Sequence, residues 1–375
     1  MIYLDSAATS LQKPRAVGRS MQRAMQTMAS PGRGGHRAAM AAAELAFSCR
    51  EAAAMLFHMS DPERVVFTFN ATHGLNIAIH DLVSAGSCVL VSGYEHNSVM
   101  RPLQKLGAKV HIVKSPLFDT GATIEAFKRH ISRADVVVCT AASNVFGFRL
   151  PIMEISQLCR EYEVPLIIDA SQLAGNGEID FEALGAAYIA MPGHKGLLGP
   201  QGTGLLLCNR VPQSLISGGT GSESKNLEMP AYLPDAAEAG THNIPGIAGL
   251  REGIRYIQKI GIASIANHER SLLEQFVKII SDGDGLETFY APQSSVQGGV
   301  ISVRHRTMDC ETIGEVLGRY EIAVRSGMHC APCAHKTVGT YDTGTVRFSF
   351  SPFNTVHEVA YGAELLKRCV NKEKT

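Results

Sequence analysis

Residues 186–196 of this 375-residue chain are AAYIAMPGHKG, an apolar run that leads into a glycine-flanked lysine, Lys195. Short, unbroken apolar runs are typical of strands that are buried on both faces of a parallel sheet. Similar runs occur in VVFTF, SCVLVSG, ADVVVCT and VPLIIDA, and the segments between them have helical patterns. This alternation predicts an α/β fold with a large, mostly parallel sheet and helices on both faces.

The pattern changes near Pro245, which predicts a second, smaller domain. Two consecutive helical stretches, IPGIAGLREGIRYIQKI and ASIANHERSLLEQFVKII, precede short strands in GGVISVR, EIAVRSG and TVRFSF and a last helix. We therefore predict a large domain over residues 15–244 and a smaller α+β domain over residues 245–375. Residues 1–14 are expected to pack on the small domain, although the sequence leaves packing on the large one open.

Composition restricts the class of protein. Lys+Arg and Asp+Glu both number 35, and this balance argues against nucleic acid or an anionic membrane as the main partner. No secretory signal and no bilayer-length apolar run is visible. The nine cysteines are scattered and odd in number, which favours a reducing, cytoplasmic compartment without a disulfide framework. Their spacing fits no standard zinc pattern, so no metal site is predicted.

Polar residues follow five of the predicted strands at the point where each strand ends. Ligands of parallel sheets bind beyond the carboxyl ends of the strands, so these residues are expected to meet at one site. They lie in the segments Asn70-Ala71-Thr72-His73-Gly74, Tyr94-Glu95-His96, Ser143-Asn144, Asp169-Ala170-Ser171-Gln172 and Gly193-His194-Lys195.

These residue types suit a cofactor that accepts electrons. A lysine in an apolar site loses its charge easily and can react with an aldehyde, and Lys195 is such a candidate. Asp169 can keep a pyridinium nitrogen protonated, and Thr72 at a helix start can bind a phosphate. His96 can stack on a flat ring. Each residue alone has an ordinary explanation, as a surface lysine or a helix cap, and their common edge favours the joint role.

The ordered motifs of the chain resemble those of cysteine desulfurases and selenocysteine lyases. These enzymes belong to the class V aminotransferase group of fold-type I pyridoxal-phosphate enzymes, and the resemblance runs from Leu4 to about Thr355. The matching segments are LDSAAT, ATHGLN, YEHNS, SNVFG, IDASQ, GHKGLLGPQG, EAGTHN, VRSGMHCAP and VRFSFSPFNT.

The resemblance implies a cofactor, pyridoxal 5′-phosphate, and a role for each matching residue. Lys195 is similar to the lysine that forms the Schiff base and later acts as the base for the α-proton. The implied cofactor contacts are Thr72, His73, His96, Asp169, Gln172, His194 and Thr241. Thr241 resembles a phosphate ligand that reaches in from the other subunit, which implies a homodimer with shared active sites.

The resemblance also implies the reaction, in which L-cysteine gives L-alanine and leaves a persulfide on Cys330. Asn144 and Arg347 resemble the groups that bind the substrate carboxylate. Only a thiolate is nucleophilic, and we expect the neighbouring Arg325 and His329 to lower the pKa of Cys330. If the sulfur is passed on, an acceptor protein is expected.

Three features depart from this pattern or leave it open. Pro192 stands where the family commonly has a serine or threonine that contacts the phosphate, so one such contact is expected to be lost. Cys333 completes a CAPC motif, for which we favour a semi-buried loop cysteine over a redox role. The following stretch, HKTVGTYDTG, is polar and contains glycine, which indicates a mobile loop.

Other activities stay open at this stage. A selenocysteine lyase would use the same residues, and selenium leaves more easily, so its reaction need not involve Cys330. Transamination and β-elimination of a cysteine derivative are further class V reactions. A catalytically silent sulfur-relay protein is the alternative from outside enzymology, although the joint presence of Lys195, Asp169 and Cys330 argues against it.

Overall fold

The apolar runs form the strands of a seven-stranded sheet in the computed structural model, which describes residues 1–31 and 34–371. The strands of this sheet and of two smaller sheets are β1 (Ile2–Tyr3), β2 (Val65–Thr68), β3 (Cys88–Ser92), β4 (Lys109–Val113), β5 (Val136–Thr140), β6 (Leu166–Asp169), β7 (Tyr188–Pro192), β8 (Gly204–Cys208), β9 (Leu286–Phe289), β10 (Val300–His305), β11 (Ile322–Ala323), β12 (Arg325–Gly327) and β13 (Thr345–Ser349). The helices are α1 (Arg15–Thr27), α2 (Arg37–Leu56), α3 (Ala71–Leu82), α4 (Asn97–Lys105), α5 (Thr120–Lys128), α6 (Ile152–Glu161), α7 (Phe181–Leu184), α8 (Ile244–Ile260), α9 (Ile262–Ile280), α10 (Cys310–Arg319), α11 (Pro332–Val338) and α12 (Val356–Asn371).

The large sheet confirms the predicted mostly parallel arrangement. Its strand order is β2-β8-β7-β6-β5-β3-β4; β8 runs antiparallel to both β2 and β7, and the other neighbouring pairs are parallel. Thr140 pairs with Asp169 and Asp169 pairs with Ala190, so β5, β6 and β7 end at nearly the same level. The segments that follow these strands therefore lie side by side at one edge of the sheet.

Both faces of this sheet are buried, as the unbroken apolar strands predict. In β5, Val137 belongs to one hydrophobic core, whereas Val136 and Val138 belong to the core on the opposite face. Successive residues of a strand point to opposite faces, so a strand that is covered on both sides has no position for a solvated side chain.

A smaller antiparallel sheet, with the order β12-β13-β10-β9, forms a separate hydrophobic core with α9, α10 and α12. The N-terminal strand β1 pairs in parallel with β11, and Leu4 is buried in this small-lobe core. None of the helices in the described residues is long and apolar enough to cross a membrane.

The predicted domain boundary at residues 244/245 differs from the packing. Helix α8 follows this boundary, but it packs on α1 and α2, and its apolar residues, including Ile247 and Ile254, belong to the large-lobe core. Both helices predicted after Pro245 are present. A helical pattern in the sequence predicts a helix, but it does not predict which hydrophobic core that helix joins. The contacts place the change of lobe near Gly261, and residues 372–375 of the predicted small domain lie outside the described residues.

A buried ion pair ties α2 to the segment that precedes α8. Arg50 donates two hydrogen bonds to the Glu238 carboxylate, at 2.8 and 2.7 Å, and both side chains are almost fully buried. Glu238 also accepts hydrogen bonds from the backbone N–H of Phe67, at 2.6 Å, and from His242, at 3.0 Å. This network fixes the loop that contains Thr241 against strand β2.

We expect Arg50→Met to lower the free energy of unfolding by about 3–5 kcal/mol, because it leaves the Glu238 carboxylate buried without its main partner. Urea denaturation followed by circular dichroism measures this loss. Arg319→Met is the matched control, since Arg319 forms an exposed ion pair with Glu315 and its loss should cost about 0.5 kcal/mol or less. Equal stabilities of the two variants would contradict the assigned role of the buried pair.

Candidate active site

A cavity of about 500 Å³ opens at the carboxyl ends of the parallel strands. The wall contains residues from the ends of β2, β3, β5, β6 and β7, namely Asn70, Ala71, Thr72, His96, Ser98, Thr140, Ala142, Asn144, Asp169, Ser171, Gln172, Pro192, His194 and Lys195.

Lys195 lies on the turn after β7, and two glycines allow that turn to pack closely. A Cβ atom on Gly193 would lie 2.1 Å from Thr203 Oγ1, and one on Gly196 would lie 2.3 Å from the carbonyl oxygen of Ala174. Both distances are too short for any side chain. The flanking glycines therefore have a steric function, which is to seat the lysine-bearing turn against the sheet.

The two charged groups of the cavity sit in a low-dielectric setting. Burial lowers the pKa of Lys195 to about 8, an effect that the nearby Asp169 opposes and Arg347 reinforces. Asp169 is 2% exposed at the end of β6, and its Oδ1 accepts a hydrogen bond from the backbone N–H of Ser171 at 2.9 Å. About a tenth of Lys195 is thus uncharged at pH 7, far more than of an ordinary lysine, and the uncharged amine is the nucleophilic form.

His96, Ser98 and Thr72 form a connected group on another wall. His96 caps α4 by accepting a hydrogen bond from the backbone N–H of Ser98 at 3.0 Å. Ser98 Oγ lies 2.9 Å from His96 Nδ1 and 2.8 Å from Thr72 Oγ1. Burial lowers the pKa of His96 to about 4, although Asp169 opposes this shift, so its imidazole is neutral at pH 7. The cap therefore fixes a neutral ring at the cavity wall.

Gln172 and His194 connect the cavity to the N-terminal segment. Gln172 Nε2 donates to the carbonyl oxygen of Ala7 at 3.0 Å, and His194 Nδ1 lies 3.0 Å from Thr9 Oγ1. Burial lowers the pKa of His194 to about 4, and Lys195 and Lys13 reinforce this shift. The segment before α1 thus holds two residues of the cavity wall from outside the sheet.

Two residues expected to contact the cofactor lie outside this cavity. His73 stacks on Phe69 with ring centroids 4.5 Å apart, and its Nδ1 accepts a hydrogen bond from the Phe69 backbone N–H at 3.3 Å. His73 and the exposed Thr241 both line a neighbouring cavity of about 640 Å³. The single chain therefore does not bring either residue to Lys195.

The predicted carboxylate binders, Asn144 and Arg347, do lie together. Arg347 NH1 donates to the carbonyl oxygen of Asn144 at 3.0 Å, and NH2 donates to Asp5 Oδ1 at 2.6 Å. Within the described part of the chain, Arg347 Nε is buried without a hydrogen-bond partner. This arginine reaches across the two lobes and retains one unused donor.

Cys330 is the exposed thiol of the site, on a loop that both lobes hold. Its backbone carbonyl accepts a hydrogen bond from Asn97 at 2.9 Å, and the carbonyl of His329 accepts one from Asn144 Nδ2 at 2.8 Å. His329 and Cys330 have φ values of 49° and 57°, which side chains other than glycine rarely adopt. The contacts to the large lobe therefore hold the loop in a strained shape next to the cavity.

The two groups expected to activate Cys330 behave differently. Arg325 NH2 donates to Cys330 Sγ at 3.6 Å, so a guanidinium group does lie beside the thiol. His329 is buried, and its Nε2 contacts the backbone oxygen and hydroxyl of Thr345, at 3.2 and 3.1 Å. Burial holds the pKa of His329 well below its usual value, and Arg347 adds to this effect. A neutral imidazole adds no positive charge beside Cys330, so the structure does not support the expected charge effect of His329.

The stretch after Cys330, expected to be a mobile loop, instead begins with helix α11. Thr337 donates to the carbonyl oxygen of Gly93 at 2.8 Å, and His335 is fully buried beside Thr340, with 2.7 Å between Nδ1 and Oγ1. Cys333 is buried in this helix, and burial raises the pKa of its thiol to about 11. The sequence did not predict this helix because its polar residues, which look solvent-exposed in sequence, make buried hydrogen bonds instead.

Sequence reasoning did not single out three residues that shape the site. Ser98 supplies a hydroxyl to the cavity wall, Asp5 pairs with Arg347, and Thr140 lines the cavity next to Asp169. Ser98 and Asp5 lie in the motifs YEHNS and LDSAAT, so the signal was present without an assigned role. Among the described residues, no group of three or more His, Cys, Asp or Glu side chains is placed to hold a metal ion.

Comparison with known proteins gives consistent results. The family model "Aminotransferase class-V" matches residues 2–361. A protein of Methanothermobacter thermautotrophicus named "Probable cysteine desulfurase" is 33% identical, over 98% of this chain and 94% of its own length. A protein of Pyrococcus abyssi with the same name is 32% identical, over 96% of this chain and 92% of its own length.

A solved structure agrees with these sequence relatives. The apo structure of a cysteine desulfurase from Thermococcus onnurineus superposes with a TM-score of 0.91 and 28% identity, and the match covers 99% of this chain and 95% of that one. The match of the family model over nearly the whole chain, together with the full-length relatives, shows that this chain belongs to the aminotransferase class-V family.

Proposed function

We propose that this protein is a pyridoxal 5′-phosphate-dependent cysteine desulfurase, which removes sulfur from L-cysteine as a persulfide on Cys330 and releases L-alanine. One observation carries the proposal: the cavity that contains Lys195 and Asp169 also contains Asn144, which hydrogen-bonds the loop of the exposed Cys330. An electrophile-binding lysine and a free thiol at one site are what the reaction needs. Similar proteins named as cysteine desulfurases support this reading.

The residues around the cavity fit this cofactor. Asp169 is a buried carboxylate that suits a protonated pyridine nitrogen, and the neutral fraction of Lys195 suits the aldehyde. The phosphate has a natural position at the N-terminus of α3, where Thr72 and Ser98 add hydroxyl groups. His96 is placed to stack on the ring and Gln172 to bond its hydroxyl. When bound, the cofactor withdraws electrons from the substrate α-carbon.

Each side chain of the site has a separate role in the proposed reaction. Lys195 Nζ takes the proton from the α-carbon. Arg347 and Asn144 orient the substrate carboxylate, for which Arg347 Nε is an available donor. Cys330 Sγ, as a thiolate stabilised by Arg325, attacks the substrate sulfur, so that an S–S bond forms as the C–S bond breaks.

The proposal includes partners. The Thr241 side chain is exposed and lies outside the cavity of its own chain, which suits a phosphate ligand for a second copy in a homodimer with shared sites. The exposure of Cys330 suits a thiol that hands its sulfur to an acceptor protein.

Lys195→Ala should abolish covalent retention of pyridoxal 5′-phosphate, because Lys195 is the only lysine among the described residues that line the cavity with Asp169. Borohydride reduction of the wild-type complex followed by mass spectrometry should place the adduct on Lys195. Lys13 is the matched internal control, since burial also lowers its pKa to about 8 while it lies outside the cavity lining. An adduct on Lys13, or retention in Lys195→Ala, would refute the assignment.

Pro192→Ser should tighten binding of pyridoxal 5′-phosphate to about one-fifth of the wild-type Kd, since one added hydrogen bond contributes about 1 kcal/mol. Pro192 ends β7 on the cavity wall and offers neither a hydroxyl nor an N–H. Equilibrium dialysis of the apoprotein measures Kd, and Pro192→Ala controls for the loss of the proline ring. Identical Kd values for Ser and Ala would show that the phosphate does not reach this position.

Cys330→Ala should reduce sulfide and alanine formation from L-cysteine by roughly three orders of magnitude, as loss of a catalytic nucleophile does. Alanine has the same Cβ constraint at this left-handed position, so the loop should keep its shape. Cys333→Ala should retain activity, because that thiol is buried and its pKa is raised to about 11.

L-selenocysteine provides the second arm of this assay. Continued selenide release by Cys330→Ala, with loss of cysteine turnover, fits the proposed chemistry. Wild-type protein that turns over L-selenocysteine alone would identify a selenocysteine lyase. Sulfide release from L-cysteine at the wild-type rate by Cys330→Ala would rule out the persulfide step on Cys330.

A further inference from the structure

Lys195 also lines a second cavity, of about 410 Å³, which shares Ser171 and Gln172 with the first. The part of this cavity that water can occupy is about 30 Å³, which is room for about two ordered water molecules. Its wall is rich in hydroxyl groups, from Ser6, Ser10, Ser171, Ser349 and Ser351, and contains one carboxyl group, that of Glu269. The proposed reaction assigns no role to this cavity.

Glu269 belongs to α9 and is only 4% exposed. A Cβ atom on Gly299 would lie 2.8 Å from Glu269 Cβ and 2.9 Å from its Oε2, so the absence of a side chain at Gly299 gives the carboxyl group its space. Glu269 takes part in none of the ion pairs found among the described residues, although Arg149 of the large lobe attracts it. A buried carboxyl group without a salt bridge is expensive to ionise.

The neighbouring Asn176 amide gives a second indication of a protonated Glu269. When its nitrogen donates to the backbone carbonyls of Gln172 and Leu173, at 3.0 and 2.9 Å, both of its polar atoms are satisfied. The amide oxygen then occupies the position 3.3 Å from Glu269 Oε2. Two oxygens at this distance form a hydrogen bond only if Glu269 carries the proton.

The charges around Glu269 agree with this geometry. Burial raises its pKa to about 8, and the attraction of Arg149 opposes the shift without cancelling it. Arg270, which follows Glu269 in α9, lowers the pKa of Arg149, and Lys195 lies across the cavity with a pKa of about 8. Burial thus favours the uncharged form of both Glu269 and Lys195, the two titratable groups that line this cavity.

We propose that Glu269 exchanges protons with Lys195 through the second cavity, and so acts on the reaction through Lys195. This inference rests on the proposed function, in which Lys195 must gain and lose a proton in each turnover. One O–H bond of Glu269 breaks as one N–H bond forms at Lys195 Nζ, and water and serine hydroxyls pass the proton between them. The resulting carboxylate faces Arg149 and regains a proton from solvent.

Glu269→Gln tests the exchange, because it keeps the shape and removes the proton. In the presence of pyridoxal 5′-phosphate, D₂O and L-alanine, the rate of deuterium incorporation at the α-carbon should fall about tenfold, at the lower end of proton-transfer effects. The wild-type rate should decline above about pH 8, where Glu269 ionises, and this decline should be absent in the variant. Glu274→Gln is the matched control, since Glu274 lies exposed on the same helix.

Infrared spectroscopy of the protein without cofactor supplies a readout that does not depend on activity. At pH 7 the wild type should show a protonated-carboxyl band that Glu269→Gln loses and Glu274→Gln keeps. Glu269→Asp distinguishes loss of the proton from a folding defect. Because this variant retains a carboxyl group, it should recover part of the exchange rate.

The outcomes separate this inference from the proposed function. Wild-type exchange that Glu269→Gln leaves unchanged in rate and pH profile would overturn the proton route and leave the desulfurase proposal intact. Absence of the infrared difference would show an ionised Glu269 and would also overturn the route. A wild type that binds no cofactor and exchanges no α-proton would refute the proposed function itself.

Discussion

The arrangement of this site depends on the cost of burying Asp169. A carboxylate that is 2% exposed needs partners, and the chain supplies a backbone N–H from Ser171 and the nearby amine of Lys195. The same charge raises the pKa of His96 against the effect of burial. Asp169 can occupy this place because β6 lies at the centre of a sheet that is covered on both faces. The sheet thus fixes the position of Asp169, and the burial of Asp169 in turn requires nearby groups that stabilise its charge.

Most of the fold could be predicted from the sequence, because strands buried on both faces have unbroken apolar runs and their ends lie together. The same argument predicted that five residues would lie at one site, namely Thr72, His96, Asn144, Asp169 and Lys195. Packing choices were harder to predict. Helix α8 has an apolar face that suits either core, and only its contacts with α1 and α2 show which one it joins.

Side-chain direction was the other source of error. Proximity in sequence placed His329 beside Cys330, yet its ring turns towards Thr345. His73 follows Thr72 on a helix, so the two side chains point different ways, and only Thr72 faces the cavity. Polar residues such as His335 and Thr340 were taken for loop because a buried hydrogen-bonded pair looks the same in sequence as a solvated one.

The exposure of Cys330 has a chemical consequence beyond sulfur transfer. Of the nine cysteines, Cys330 is the most exposed, and Arg325 lies 3.6 Å from its sulfur. Oxidation by peroxide follows thiolate character and access, so damage should concentrate on this atom and spare the buried thiols. Sulfenic acid formed here could still be reduced, whereas sulfinic and sulfonic acids would end the thiol's chemistry permanently. The exposure that leaves Cys330 open to reaction therefore also makes it the most oxidant-sensitive of the cysteines.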